Sequence, residues 1–320
     1  MLNCKNGWNF WEVEKYNVEM KNDYVDILNA ANRLKQGIGH TAVIDLGGGI
    51  YGKLEGENPS GSVKDRAAFY IIMHALEMGE LKEGGTVVEA TSGNMGISLA
   101  YVARELGLKA VMCMPESMSV ERRKMISDYG AELVLTPANE GMAGAVETAN
   151  RISEERGAFI ANQFANPASI DAHFETTAPE LFSQINDIKY VVAGIGSGGT
   201  AMGIAKYIEK NGLDCKVVAV EPSASPLMSK GYAGPHKIQG IGANFLPKLI
   251  HVCKFDKIMT ADYGEALAAV KELYKNFGIK CGISSGAAYS VAKRLRGEVE
   301  GNIAVILPDN GDRYSKDLYL

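Results

Sequence analysis

The chain has 320 residues, of which 46% are hydrophobic and 22% charged, so it can form one large or two ordinary globular domains. Its net charge of −5 gives no reason to expect binding to nucleic acid or to an anionic membrane. Apolar runs of membrane-spanning length, a signal-peptide core and paired cysteine spacing are all missing from the sequence, so we expect a cytoplasmic protein without a metal site.

Short β-branched runs alternate with longer amphipathic stretches along the chain. The predicted strands lie at 85–91, 109–115, 131–137, 189–194 and 215–222, and the alternation ends with NIAVILPDNG at 302–311. The predicted helices lie at 94–107, 119–130, 141–157, 199–212 and 265–278. This alternation is typical of βαβ units in a mostly parallel sheet, and two sets of units, divided near residue 162, predict two α/β lobes. The Gly-, Pro- and Ser-rich stretch 223–248 is expected to form long ordered loops.

The turn AGIGSGGT, which starts at Ala193, follows a predicted strand and opens a predicted helix. Small residues and a helix N-terminus allow backbone N–H groups to bind a phosphate. The same glycines also spell the dinucleotide pattern GxGxxG, and Glu221 follows where an acidic ribose ligand would lie. By itself, the turn is compatible with a nicotinamide site, with a simple phosphate site or with a packing turn.

Three further features stand at predicted turns. Lys64 lies in ENPSGSVKDR, a small-residue turn before a helical apolar stretch, which is an unusual place for a solvated lysine. The turns EATSGNMG and CGISSGAA carry hydroxyl and amide side chains before predicted helices, and each is also compatible with a simple helix cap. Taken together, the turns predict one site with a reactive lysine, a phosphate cradle and a carboxylate cradle.

The chain resembles the cysteine synthase (O-acetylserine sulfhydrylase) family of fold type II pyridoxal-phosphate enzymes, which includes similar β-cyanoalanine synthases. The resemblance rests on ordered motifs between Ile38 and Tyr314: NPSGSVKDR, TSGNMG, NQFANPASIDAHFETTAPEL, GSGGT, QGIGANFLP, GISSGAA and LPDNGDRY. It implies an α/β fold like that of the tryptophan synthase β subunit, with two lobes of parallel or mixed sheets flanked by helices.

The resemblance also implies the role of each motif. Lys64 is expected to attach pyridoxal 5′-phosphate covalently and to act as general base, which requires a neutral amine. Asn94 is expected beside the ring hydroxyl of the cofactor, and Ser284 beside its pyridine nitrogen. The cofactor phosphate is expected at Gly196, Ser197, Gly198, Gly199 and Thr200. The substrate carboxylate is expected at Thr91, Ser92, Gly93, Asn94, Met95 and Gln163.

The implied reaction is β-replacement or β-elimination on a β-substituted L-alanine through an α-aminoacrylate, with O-acetylserine and sulfide as the family default. Met95 departs from the threonine usual in sulfide-using synthases, and Ala178, Asn244 and Ala42 also depart from the family motifs. O-phosphoserine, cysteine or cyanide as co-substrate, cysteine desulfhydration and lanthionine formation therefore stay open. A nicotinamide-dependent oxidoreductase is the alternative from a different class.

The resemblance also suggests an organisation of the chain. We predict an N-terminal extension at 1–25, which contains Trp8 and Trp11. A larger domain that binds the cofactor phosphate is predicted at 26–57 and 166–320, and a smaller mobile domain with the substrate loop at 58–165. A homodimer is the family expectation, whereas no sequence feature supports a complex with serine acetyltransferase.

Overall fold

The structure is a computed structural model that describes residues 22–91 and 93–320. The N-terminal extension up to residue 21, with Trp8 and Trp11, and the predicted substrate contact Ser92 lie outside the described residues. Between residues 22 and 91 and from residue 93 onward, no helix is long and apolar enough to cross a membrane. The same residues contain no cluster of His, Cys, Asp or Glu side chains that could hold a metal ion.

Helices and strands alternate over most of the described chain. The helices are α1 (Asn22–Gly37), α2 (Lys64–Glu77), α3 (Asn94–Glu105), α4 (Val120–Asp128), α5 (Gly141–Arg156), α6 (Ala168–Ala172), α7 (Ala178–Gln184), α8 (Gly199–Asn211), α9 (Leu227–Lys230), α10 (Tyr263–Phe277) and α11 (Ile283–Arg296). The strands are β1 (Val43–Asp45), β2 (Ile50–Leu54), β3 (Thr86–Ala90), β4 (Lys109–Pro115), β5 (Glu132–Thr136), β6 (Phe159–Ile160), β7 (Ile188–Gly194), β8 (Lys216–Pro222), β9 (Lys257–Ala261) and β10 (Asn302–Leu307).

The strands form two sheets. The larger has the order β1-β2-β10-β7-β8-β9, and every neighbouring pair is parallel except β1 with β2. The smaller has the order β5-β4-β3-β6 and is parallel throughout. The predicted α/β class with parallel and mixed sheets is confirmed. The predicted domain boundaries stay a prediction, although the two sheets divide the strands in the same way.

Buried apolar side chains fill the space between each sheet and its helices. In the larger sheet, Val218, Val305 and Leu307 pack beneath α10 and α11. In the smaller sheet, Met112 and Met114 pack with residues of α2 and α3, and apolar residues of α1 join the same cluster. Strands such as β4 are buried on both faces, which explains their continuous apolar sequence and the strength of the strand pattern there.

The predicted strands and helices are found within one or two residues of their predicted positions. The elements without a prediction are α1, the short hairpin β1–β2, the two-residue β6, the short helices α6 and α7, and the strand β9. Short or partly exposed strands carry few apolar positions, so their local pattern is weak. The stretch 223–248 is irregular as predicted, apart from the single turn of α9.

Candidate active site

A cavity of about 1020 Å³ opens at the carboxyl ends of the strands, and residues associated with both sheets line it. This is where parallel α/β sheets place their ligands. Every described residue predicted for the site lines this cavity. They are Lys64, Thr91, Gly93, Asn94, Met95, Gln163, Gly196, Ser197, Gly198, Gly199, Thr200 and Ser284. The turns that are far apart in sequence therefore meet at one cavity.

Lys64 is the first residue of α2 and is only partly exposed, towards the cavity. Removal from water lowers the pKa of its amine to about 8, because burial penalises the charged form. The amine is therefore neutral in a much larger fraction of molecules near neutral pH than an exposed lysine. The preceding turn needs Gly61, whose φ of +88° lies in the left-handed region.

A buried ion cluster anchors the start of α2. Arg66, two residues after Lys64, donates from Nε to Glu55 at 2.7 Å and from Nη1 to Glu180 at 2.6 Å. The side chains of Arg66 and Glu55 are fully buried. Their opposite charges compensate one another inside the protein, where an unpaired charge would be very costly. The cluster ties the segment after β2 and the helix α7 to the helix that carries Lys64.

The loop between β7 and α8 forms a cradle of backbone groups. A Cβ atom on Gly196 would lie 2.5 Å from the carbonyl oxygen of Gly240, so only glycine fits there. Gly198 has a φ of +89°, and its Cβ would lie 2.6 Å from Cγ2 of Ile250. Gly199 begins α8, a helix of 13 residues whose first N–H groups have no partner within the helix. The cradle therefore suits an anion such as a phosphate.

A buried histidine, not predicted from the sequence, supports this cradle. His173 lies in a single π-helical turn between α6 and α7, with Nε2 3.1 Å from Oγ1 of Thr200 and Nδ1 2.8 Å from Oγ1 of Thr177. Burial and the nearby charges of Arg66 and Lys64 hold its pKa well below the usual range. The ring is therefore neutral and donates from only one nitrogen.

The loop from β3 to α3 and the segment after β6 form the opposite wall. Gly93 N donates to Thr91 Oγ1 at 3.3 Å, Gln163 is buried, and Met95 is only 2% exposed and packs in the core of the smaller sheet. Glu89, which lines the cavity and was missed by sequence analysis, accepts a hydrogen bond of 2.6 Å from the N–H of Asn162. Burial raises the pKa of Glu89 to about 7.

The raised pKa of Glu89 predicts a pH-dependent stability. Its protonated form is favoured in the folded state, so the free energy of unfolding should fall as the pH rises from the ordinary pKa of 4.5 through about 7. We expect Glu89→Gln to reduce this fall between pH 5 and 8 by on the order of 1–3 kcal/mol in urea unfolding.

Glu132→Gln is the matched control. Glu132 lies on β5 of the same sheet, and its pair with Arg156 lowers its pKa, so it stays ionised throughout this pH range. Parallel curves of stability against pH for the wild type and Glu89→Gln would contradict the prediction.

Comparison with known proteins identifies the family. Residues 34–309 match the family described as pyridoxal-phosphate dependent enzyme. The cysteine synthase of Staphylococcus aureus is 44% identical over 300 residues, which cover 90% of this chain and 97% of that protein. Cysteine synthase B of Campylobacter jejuni is 45% identical over 289 residues, covering 88% and 96% of the two chains. The chain belongs to the cysteine synthase family of pyridoxal-phosphate enzymes.

Solved structures agree with this family assignment. O-ureido-L-serine synthase superimposes with a TM-score of 0.85 at 37% identity, covering 89% of this chain and 94% of that one. A hydrogen sulfide-producing enzyme from Fusobacterium nucleatum has a TM-score of 0.86 at 34% identity, covering 92% of each chain. The predicted fold type and the predicted cofactor, pyridoxal phosphate, are confirmed for this cysteine synthase family member.

The cavity fits pyridoxal phosphate. The glycine cradle can hold its phosphate, and the partly neutral amine of Lys64 can react with its aldehyde. Asn94 and Ser284 also line the cavity and supply neutral polar groups to it. Ser284 is 3% exposed and lies against Gly240, whose Cβ would be 3.6 Å from its Oγ. The positions predicted for the cofactor therefore carry groups of suitable chemistry.

Glu221 decides against the nicotinamide alternative. Its carboxylate is buried and accepts hydrogen bonds from the N–H groups of Met228, at 2.8 Å, and Ser229, at 3.0 Å, at the start of α9. Both of its oxygens are thus used within the protein, and Glu221 is not among the described residues that line the cavity. An acidic ribose ligand would have to face the bound dinucleotide.

Proposed function

We propose that this protein catalyses β-replacement on a β-substituted L-alanine, with the synthesis of cysteine from O-acetylserine and sulfide as its main reaction. The observation that carries the proposal is the convergence of Lys64, the glycine cradle and the loop from Thr91 to Met95 on one cavity. The similarity to cysteine synthases supports the choice of substrates. Pyridoxal phosphate, when bound, supplies a carbonyl group for the substrate amine and an electron-withdrawing ring that stabilises negative charge at Cα.

The residues of the chain have complementary tasks in this proposal. The backbone N–H groups of Gly196 to Gly199 and the hydroxyl of Thr200 hold the phosphate. Lys64, with its lowered pKa, would hold the cofactor through its amine. Once free, the same amine takes the proton from Cα of the substrate and later returns it to Cα of the product. Ser284 offers a neutral hydroxyl to the pyridine nitrogen, which favours loss of a β-substituent over transamination.

The substrate carboxylate is assigned to the loop after β3. The N–H groups at the start of α3, the hydroxyl of Thr91 and the amide of Gln163 supply donors to this side of the cavity. Gln163 also forms hydrogen bonds with Glu89. The same carboxylate accepts a hydrogen bond from the N–H of the neighbouring Asn162, whose φ is +51°. Ser92, which lies outside the described residues, is also proposed to bind the substrate carboxylate.

A panel of substrates tests the proposal. The purified enzyme is assayed with O-acetylserine, O-phosphoserine, serine and cysteine, each alone and with sulfide or cyanide. We expect the highest kcat/KM for O-acetylserine with sulfide, and ping-pong kinetics because the two substrates react in separate steps. A clear preference for O-phosphoserine, or for cysteine with cyanide, would replace the proposed physiological reaction. A colourless protein without pyridoxal phosphate would overturn the proposed function altogether.

Net consumption of cysteine is the second candidate, favoured by Met95. The threonine hydroxyl usual in sulfide-using synthases is replaced here by a buried apolar side chain at the start of α3. A thiol is a competent β-leaving group for the same residues, so release of sulfide from cysteine should be measurable. The hydrogen sulfide-producing enzyme among the similar structures supports this candidate.

We expect Met95→Thr to shift the ratio of the two reactions towards cysteine synthesis by about tenfold or less, since a neutral hydrogen bond contributes roughly 0.5–1.5 kcal/mol. The measurement is kcat/KM for O-acetylserine with sulfide and for cysteine alone. Met118→Thr is the control, because Met118 packs against the same core and is not among the described cavity residues. An unchanged ratio would mean that Met95 acts only in packing.

We further propose a cytoplasmic homodimer with a smaller domain, 58–165, that moves relative to the rest of the chain. The family resemblance supports the dimer, and the four-stranded sheet within 58–165 supports the division into domains. Light scattering of the purified protein tests the dimer. Small-angle scattering with and without substrate tests the domain movement, and identical curves would contradict it.

A further inference from the structure

The segment from Pro308 to Tyr314, which follows β10, meets three parts of the proposed cofactor site. We propose that Asp309, together with Arg313, is a positioning residue that fixes the amide of Asn94 in one orientation towards the cofactor ring. The inference rests on the proposed cofactor position. It goes further by assigning a task to LPDNGDRY, a motif that has no role in the proposed function.

Asp309 is 2% exposed and connects two walls of the cavity through its carboxylate. Oδ2 accepts from Nδ2 of Asn94 at 2.8 Å and from the hydroxyl of Tyr314 at 2.6 Å. Oδ1 accepts from the N–H of Gly282 at 3.2 Å, immediately before the helix that carries Ser284. One carboxylate thus ties the side chain of Asn94 to the backbone at the start of the helix that carries Ser284.

Arg313 holds the other end of the same amide. Its Nη1 donates to Oδ1 of Asn94 at 2.6 Å, and its Nη2 donates to the carbonyl of Ser60 at 2.6 Å. A flipped amide would place its oxygen against the carboxylate of Asp309 and its NH₂ group against the guanidinium. Both contacts would be repulsive, so only one orientation is stable. Because an amide NH₂ has two protons, one N–H of Asn94 remains to donate to the ring hydroxyl oxygen.

The backbone of the same segment holds the turn of Lys64. Val63 N donates to the carbonyl of Pro308 at 2.8 Å, and the N–H of the residue after Asp309 donates to the carbonyl of Gly61 at 3.1 Å. A Cβ on Gly61 would lie 2.4 Å from Nη2 of Arg313. The close approach of the two segments therefore requires glycine at this position, and the segment carries the relative placement of Lys64, Asn94 and Ser284.

The fixed amide has a chemical consequence. A donated N–H stabilises an ionised ring oxygen, so it lowers the pH at which that oxygen loses its proton. Loss of the orientation should raise this pH. The pH dependence of the visible absorption of the holoenzyme reports on it directly and would not respond to a residue that only stabilises the fold.

The test uses the holoenzyme of Asp309→Asn, which keeps the shape of the side chain but replaces one acceptor by a donor. An N–H of Asn94 or of Gly282 then meets an NH₂ group, and the acceptor that remains is a neutral amide oxygen, so the Asn94 amide is held less firmly. We expect the midpoint of the spectral titration to rise by roughly one pH unit, since the loss of one hydrogen bond corresponds to about a tenfold change. Asp312→Asn is the matched control, because Asp312 is exposed in the same segment.

The double variant Asp309→Asn/Asn94→Ala separates positioning from a general effect. If Asp309 acts through Asn94, the midpoint of the double variant should equal that of Asn94→Ala. Should Asp309→Asn fail to fold, Arg313→Lys is measured instead; it keeps the charge, cannot hold both Asn94 and Ser60, and should shift the midpoint in the same direction.

An unchanged midpoint in Asp309→Asn, or in Arg313→Lys where Asp309→Asn does not fold, would overturn the inference. Full additivity of the two shifts in the double variant would also overturn it. A wild-type protein without the absorption of pyridoxal phosphate would overturn the proposed function instead, so the two failures can be told apart.

Discussion

Replacing Lys64 by alanine is expected to reduce turnover by at least roughly 10³-fold, the middle of the range of about 10²–10⁴-fold that a single general base contributes. The reason is that Lys64 has two tasks in the proposed function, and no water molecule can replace either. Its amine has a pKa of about 8 because burial disfavours the ammonium form, and it lies at the start of α2 facing the cavity. The measurement is kcat for O-acetylserine with sulfide.

Borohydride reduction provides the second measurement for this variant. We expect it to link the cofactor to Lys64 in the wild type, as seen by peptide mass mapping, and to leave the alanine variant unlabelled. Lys124→Ala is the control, because Lys124 is an exposed residue paired with Asp128 on α4. Labelling of a different lysine in the wild type, or substantial activity in Lys64→Ala, would show that the assignment of Lys64 is wrong.

Replacing Gly198 by valine should lower the affinity for pyridoxal phosphate by roughly 100-fold. The φ of +89° disfavours a β-branched residue, and the added Cβ would lie 2.6 Å from the side chain of Ile250. Backbone strain and displacement of the loop together cost on the order of 3 kcal/mol, which corresponds to about two orders of magnitude in affinity. Cofactor retained per protomer after dialysis, together with spectroscopic titration, measures the effect.

Gly212→Asn is the matched control at the other end of α8. Gly212 has a φ of +60° and open space around it, and asparagine tolerates this conformation, so cofactor affinity should not change. NADH binding is measured in parallel by fluorescence. Binding of NADH to the wild type that is lost in Gly198→Val would contradict the assignment of this loop to pyridoxal phosphate and revive the dinucleotide alternative.

The sequence by itself determined the strand–turn–helix units and the chemistry at their ends. The turn after β7, the lysine that begins α2 and the hydroxyl-bearing segments at the starts of α3 and α11 are each contained in fewer than ten consecutive residues. Their patterns arise from local requirements, such as a helix N-terminus or a φ that only glycine tolerates. The same is true of strands buried on both faces, such as β4, because burial leaves a continuous apolar run.

Only the tertiary structure decided how these units support one another. Arg313 and Asn94 are separated by 219 positions, and Arg66 and Glu180 by 114, so no local pattern indicates either pair. Glu221 illustrates the opposite case, since its position after a strand suggested a ribose ligand and the structure shows it capping α9 instead. The physical reason is that burial, and the partners that burial demands, depend on the whole packed chain. The lowered pKa of Lys64, the raised pKa of Glu89 and the fixed amide of Asn94 all follow from packing.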